Sequence, residues 1–347
     1  MKKIPENIVI GKSWKNTLEK FLKEKHYSAI AILIDENTKA NCLPIVIEII
    51  DDPVIIEIKS GEEYKNLETC AHIWSVLTKN HFDRKALMIN LGGGVIGDMG
   101  GFCATAYKRG IDFINLPTTL LSQVDASVGG KLGIDFQGFK NHIGFFKEPE
   151  MVLINPGFLN TLPERELRSG FAEVLKHALI ADEAYWKILT TKKFPNQPWE
   201  EHILHSVKVK YEVVSDDFKE SGQRKILNFG HTLGHAIESI FLDKGDAKLL
   251  HGEAIAIGMI TEAYISMKYG LKQEEVDEIA AYFISCFGKI DLKEVPKQQI
   301  FDFVKQDKKN TSSQINFSLL KNIGCADYNL FADDDEISQA LAYYQSL

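Results

Sequence analysis

Apolar positions along the chain fall into two rhythms that change near Pro156. Before it, short apolar runs alternate with stretches of helical spacing. AIAILID (29–35), IVIEII (45–50), VIIEIK (54–59), ALMINL (86–91), DFINLP (112–117) and MVLINP (151–156) read as strands. Between them, residues 64–82 place Leu67, Cys70, Ala71, Trp74 and Leu77 at helical spacing. Strands separated by helices predict a mainly parallel sheet wrapped by helices, an open α/β domain. After Pro156 the pattern becomes long and helical, over 164–182, 199–216, 227–242, 252–270, 274–287 and 296–306. The expected division is an α/β domain over 1–156 and a mainly α-helical domain over 157–347, with KKFPNQPWEE (192–201) as an interhelical loop.

Ligands of open α/β sheets gather beyond the carboxyl ends of the strands. The loops expected there are Asp35-Glu36-Asn37, Ser60 to Lys65, Gly92 to Asp98 and Pro117-Thr118-Thr119. Gly92, Gly94 and Gly97 satisfy GxGxxG between a strand and a helical stretch, where backbone N–H groups can approach a pyrophosphate. A tight structural turn accounts for the same glycines, and a position near residue 92 departs from the usual first-strand placement. Ser127 to Leu132 has no Ser or Thr after Lys131, which disfavours a triphosphatase loop and leaves Lys131 as a discrete positive charge.

GHTLGH (230–235) sets His231 and His235 one helical turn apart, with Glu238 a further turn along. His251 opens the next helical stretch, and Glu173 lies in an otherwise apolar one. Histidines with one carboxylate, drawn from separate helices, suit a catalytic zinc that keeps one position open. Each histidine taken alone reads more often as a packed structural residue, and their joint occurrence with Glu173 shifts the balance towards a site. Gly230 and Gly234 weaken the helix but permit close approach of another element.

Composition narrows the classes. The 347 residues suit two domains, and 45% apolar with 25% charged residues is ordinary for a folded protein. A formal charge of -8 argues against non-specific nucleic-acid binding, without excluding an anionic small molecule held by local lysines. No run approaches the ~20 apolar residues of a membrane span, and MKKIPENIVIG reaches Pro5 and Glu6 before any secretory apolar region, so a cytoplasmic protein is expected. The five scattered cysteines offer neither a CxxC pair nor a disulfide framework.

Several blocks taken together resemble the 3-dehydroquinate synthase family of sugar-phosphate cyclases. They are GGGVIGD (92–98), RGIDFINLPTTLLSQVDASVGGK (109–131), FKNHIGFF (139–146), LPERELRSGFAEVLKHALI (162–180), LNFGHTLGHAIE (227–238) and HGEAIAIGM (251–259). The resemblance implies a Rossmann-like NAD-binding domain, a helical domain carrying zinc, with cobalt equally suited to the ligands, and a homodimer. It implies Glu173, His231 and His251 as metal ligands, and His235 as a catalytic or substrate-contacting group. NAD contacts would come from Asp35, Asn37, Glu62, Lys65, Gly94, Val95, Ile96, Gly97, Asp98, Thr118, Thr119, Asp125, Phe158, Leu159, Asn160 and Thr161, with Lys131 and Lys140 also near the cofactor. Lys131, Lys140, Asn141, Lys176, Lys210, Arg224 and Asn228 would hold the phosphate, carboxylate and hydroxyls of a sugar-phosphate substrate, joined by Lys308 or Lys309. Asp135, Phe139 and His142 depart from the usual pattern and put the detail of that loop in question.

The implied reaction turns 3-deoxy-D-arabino-heptulosonate 7-phosphate into 3-dehydroquinate through transient oxidation, phosphate elimination, re-reduction and aldol closure. Another cyclase of the superfamily, a metal-dependent polyol dehydrogenase and a catalytically silent NAD-binding regulator are the competing readings.

Overall fold

The computed structural model describes residues 2–137, 139–194, 196–242, 244–293, 295–306 and 315–347. They form two compact units, Met1–Pro163 with Trp199–Glu212, and Glu164–Pro198 with Val213–Leu347. The expected division after residue 156 instead groups 157–163 and 199–212 with the helical half.

Along the first unit run β1 (Ile8–Ile10), α1 (Trp14–Lys25), β2 (Ile30–Asp35), α2 (Glu36–Asn41), α3 (Leu43–Ile47), β3 (Val54–Ile58) and α4 (Leu67–Lys79). They are followed by β4 (Leu87–Gly92), α5 (Gly94–Ala106), β5 (Asp112–Pro117), β6 (Lys131–Phe136), β7 (Phe139–Phe146) and β8 (Met151–Ile154). Six strands form one parallel sheet in the order β1-β8-β5-β4-β2-β3. Helices cover both faces, so β2 and β4 are buried on both sides and mostly apolar, with Asp35 at the end of β2 and Asn90 within β4 their polar members. Successive residues still point to opposite sides. Leu33 and Met88 pack in the core with Cys70, Ile73 and Phe102 from α4 and α5, while Ile34 and Ile89 pack in the other core with Trp14, Leu18 and Val46.

The expected strand over 45–50 is instead α3 and the turn after it. Its buried members, Val46 and Ile50, are four residues apart with an exposed Glu48 midway between them, which fits helical spacing and breaks strand alternation. Pro44 sits in the first turn, where its lost N–H costs nothing. An antiparallel hairpin, β6–β7, was not expected, because Gly133, Asp135, Asn141, His142 and Gly144 break up its alternation.

The second unit contains α6 (Glu164–Ala181) and α7 (Glu183–Thr190); α8 (Trp199–Asp216) follows, its residues to Glu212 grouped with the first unit. Then come α9 (His231–Phe241), α10 (His251–Ser266), α11 (Gln273–Phe287), α12 (Lys297–Gln306), β9 (Ile315–Asn322), β10 (Cys325–Ala332) and α13 (Asp334–Ser346). The mainly helical character is as expected, with the antiparallel β9–β10 hairpin added. Helix α10 is apolar all round and Gly252 and Ala254 to Ala263 are buried, as a central helix must be. It packs against α6, α9, α11 and α13.

Candidate active site

Parallel pairing brings the ends of β2, β3, β4 and β5 to one edge of the sheet, and with them the loops singled out in the sequence. Gly93 is the N-cap of α5, so the glycine loop leads directly into a helix N-terminus. Asn90, Gly92, Gly93, Gly94, Gly97, Asp98, Asn115, Pro117, Ser122, Ala126 and Ser127 line a small recess at this edge. Val95 and Ile96 belong to the same first turn, and the Ile96 side chain is buried. Thr118 N–H donates to Gly92 O at 3.0 Å, and the Thr119 and Ser122 hydroxyls are 2.9 Å apart, which ties the β4 and β5 loops together.

Asp35 is engaged locally, its carboxylate capping α2 through Thr38 N at 2.7 Å, and Asn37 is exposed in that first turn. Phe158 and Leu159 bury their side chains, Phe158 against Trp14, whereas Asn160 and Thr161 are exposed.

Lys65 is 3% exposed, with Nζ 2.8 Å from Asp98 Oδ2, 2.6 Å from Asn141 Oδ1 and 3.9 Å from Glu62 Oε1. Burial pulls this amine down, but the Asp98 and Glu62 charges more than offset it and hold it protonated. Asn141, at φ 49°, donates its N–H to Asp135 Oδ1 at 2.7 Å. The Asp at 135 thus serves the hairpin turn that presents Asn141. Phe139 stacks near His142, both on the exposed hairpin. Lys131 is exposed at the start of β6 and Lys140 half-buried on β7. Lys210 reaches Asp125, Nζ to Oδ1 2.9 Å, pairing a residue expected at substrate with one expected at NAD.

In the second unit, three helices converge. Glu173 of α6 is fully buried, and its Oε1 lies 3.5 Å from His231 Nε2 and 3.7 Å from His251 Nε2. Lys176, one turn along, forms an ion pair with Glu173. Donors about 2.0–2.2 Å from one tetrahedral zinc stand about 3.3–3.6 Å from one another, so this carboxylate and pair of imidazoles suit a single divalent ion. The far nitrogens are held as such a site requires: His231 Nδ1 faces Phe229 O at 3.0 Å, and His251 Nδ1 faces Glu238 Oε2 at 3.3 Å. His235 completes a triangle of rings, 5.1 Å from His231 and 5.7 Å from His251, and is the exposed member. Burial and then the Lys176 charge hold His231 well below its ordinary value, keeping it neutral. Burial also lowers His251, but Glu238 and Glu173 outweigh it and bring that ring up to about 9.

Arg224 is 2% exposed and donates to Phe218 O at 2.6 Å. Asn228 donates to Glu220 Oε1 at 2.6 Å. Sequence reasoning assigns no role to Glu220 or Glu238. For Glu238 a signal existed, since it shares a helical face with His231 and His235. Lys308 and Lys309 lie outside the described residues.

Residues 55–169 match the N-terminal and 170–310 the C-terminal profile of 3-dehydroquinate synthase. A 3-dehydroquinate synthase of Parabacteroides distasonis is 38% identical over 98% of both chains. The chain belongs to the 3-dehydroquinate synthase family. One from a Sulfurovum species is 44% identical over 81% of this chain and 80% of its own. Among solved structures, 2-epi-5-epi-valiolone synthase of Streptomyces hygroscopicus, with NAD+ and Zn2+ bound, superposes with a TM-score of 0.87 at 24% identity, covering 100% of this chain and 98% of that one. That likeness is one of fold.

Proposed function

We propose that this chain converts 3-deoxy-D-arabino-heptulosonate 7-phosphate into 3-dehydroquinate and inorganic phosphate, using NAD and a divalent ion. Family membership supports the reaction, and the observation that carries the chemistry is the convergence of Glu173 Oε1 with the Nε2 atoms of His231 and His251. In this reading those atoms hold the ion, zinc or cobalt, and α5's first turn with the 117–119 loop holds NAD. When bound, NAD accepts and returns a hydride while the ion polarises the oxygen on the oxidised carbon.

The remaining work falls to side chains of the protein. The substrate carries a phosphate and a carboxylate, and each calls for fixed positive charge in a water-poor site. In the first unit Lys131, Lys140 and Lys210 are the candidates to supply it; in the second, Lys176 and Arg224 are. Asn141 and Asn228 address hydroxyls. His235, exposed beside two half-buried imidazoles, carries the proton that moves on and off the reacting oxygen. The family expectation of a cytoplasmic homodimer belongs to the same reading; no helix among the described residues is long and apolar enough to cross a membrane.

The test is incubation of purified protein with the heptulosonate phosphate, a catalytic amount of NAD, and zinc. Phosphate and dehydroquinate should appear one for one with no net NADH. Accumulation of NADH, above all with simple polyols, would reject the reading in favour of a dehydrogenase.

A further inference from the structure

Helix α9, which presents His231 at its first position, has no cap of its own. Its N-cap is Gly230, at φ 80°, with no side chain to accept from the first-turn N–H groups. Glu262, a fully buried carboxylate on α10 that the proposed chemistry leaves unused, takes that place from a neighbouring helix. Its Oε2 accepts from Gly230 N at 2.6 Å and its Oε1 from Leu233 N at 3.0 Å, and the Thr232 N–H also bonds to it. Burial raises this carboxyl, and those three N–H groups pull it back down.

His251, Ile255, Gly258 and Glu262 form one stripe of α10 at helical spacing. Helix α9 runs antiparallel along it, with Glu238 against His251, Gly234 against Ile255, and Gly230 against Gly258 and Met259. A Cβ on Gly258 would lie 1.9 Å from Gly230 O, so the two backbones are as close there as glycine allows. One stripe therefore carries His251 at one end and, at the other, the group that satisfies the start of the helix bearing His231.

We infer that Glu262 is a positioning residue: by binding the first turn of α9 it sets where His231 Nε2 stands relative to Glu173. This rests on the reading of Glu173, His231 and His251 as ligands of one ion.

The test measures zinc affinity of the metal-stripped full chain by competition with a chromogenic chelator, alongside the thermal midpoint without metal. Glu262→Gln keeps the side-chain size but sets an amide NH2 against backbone donors; zinc should bind at least about tenfold more weakly. Thr261→Val, which removes a hydroxyl bonded only within α10 to Ile257 O and Gly258 O, should lower the midpoint and leave zinc affinity unchanged. Unaltered zinc affinity in Glu262→Gln overturns the inference, whatever its midpoint. His231→Ala separates the two claims. If it keeps full zinc affinity, the ligand reading fails; if it loses zinc while Glu262→Gln does not, only the positioning role fails. Should Glu262→Gln not fold, hydrogen exchange in the unaltered chain decides: the Gly230 and Leu233 amides should be as protected as the interior of α9, and exchange at exposed-amide rates overturns the inference.

Discussion

At the scale of single residues, each imidazole is aimed by what holds its far nitrogen. Glu238 does this for His251 at 3.3 Å. Glu238→Gln should weaken zinc binding by about 10–100-fold in a chelator competition, the usual cost of losing an outer-shell carboxylate. Asp217 makes a separate prediction in the turn before Arg224. Burial raises its carboxyl, but the N–H groups of Gly222, Ser221 and Arg224 and the Ser221 hydroxyl bring it down to about 2. A carboxyl depressed on folding contributes its stability fully above its unfolded value, and that contribution is lost as pH falls through the folded one. Asp217→Asn should thus cost about 1–2 kcal/mol at neutral pH. The gap to the unaltered chain should close as pH falls from about 4 towards 2, which urea unfolding at a series of pH values would measure. Glu173, His231 and His251 were legible as candidates because a carboxylate in an apolar stretch, two histidines one helical turn apart and a further histidine opening the next helix stand out. Which nitrogen faces which oxygen was not.

At the scale of elements, the close contact of α9 and α10 depends on glycine. Gly258→Ala would drive a methyl group into the Gly230 carbonyl. The expected cost is about 2–3 kcal/mol, seen in denaturant unfolding without metal, because neither backbone can yield without repacking. The same scale explains what periodicity missed. Val46 and Ile50 share a face in either a strand or a helix, and the exposure of Glu48, which a strand would place on that same face, separates the two. The β6–β7 hairpin is bound through its turn, where Asp135 holds Asn141 and Asn141 meets Lys65. A residue from a distant loop completes that turn, so no local window contains the signal.

At the scale of the whole molecule, the first unit carries a glycine loop on a parallel sheet and the second a set of metal donors among helices. Stripping metal with a chelator should abolish phosphate release, and zinc or cobalt should restore it. Zinc should also raise the thermal midpoint of the unaltered chain, since a ligand that binds only the folded state stabilises it, and should fail to do so for His251→Ala. An equal zinc-dependent rise in that variant would remove His251 from the ligand set.

The sequence by itself determined the α/β and helical halves, the glycine loop between a strand and a helix, the family, and the short list of possible metal donors. The family rests on the resemblance of whole sequence blocks; the others follow from period, spacing and residue type, which are properties of neighbours along the chain. Only the tertiary structure decided that Glu173 meets His231 and His251, that Lys65 is captured by Asp98 and Asn141, and that Glu262 caps a helix it does not belong to. Each of those contacts joins residues far apart in the chain, and their distances are set by how helices and strands pack.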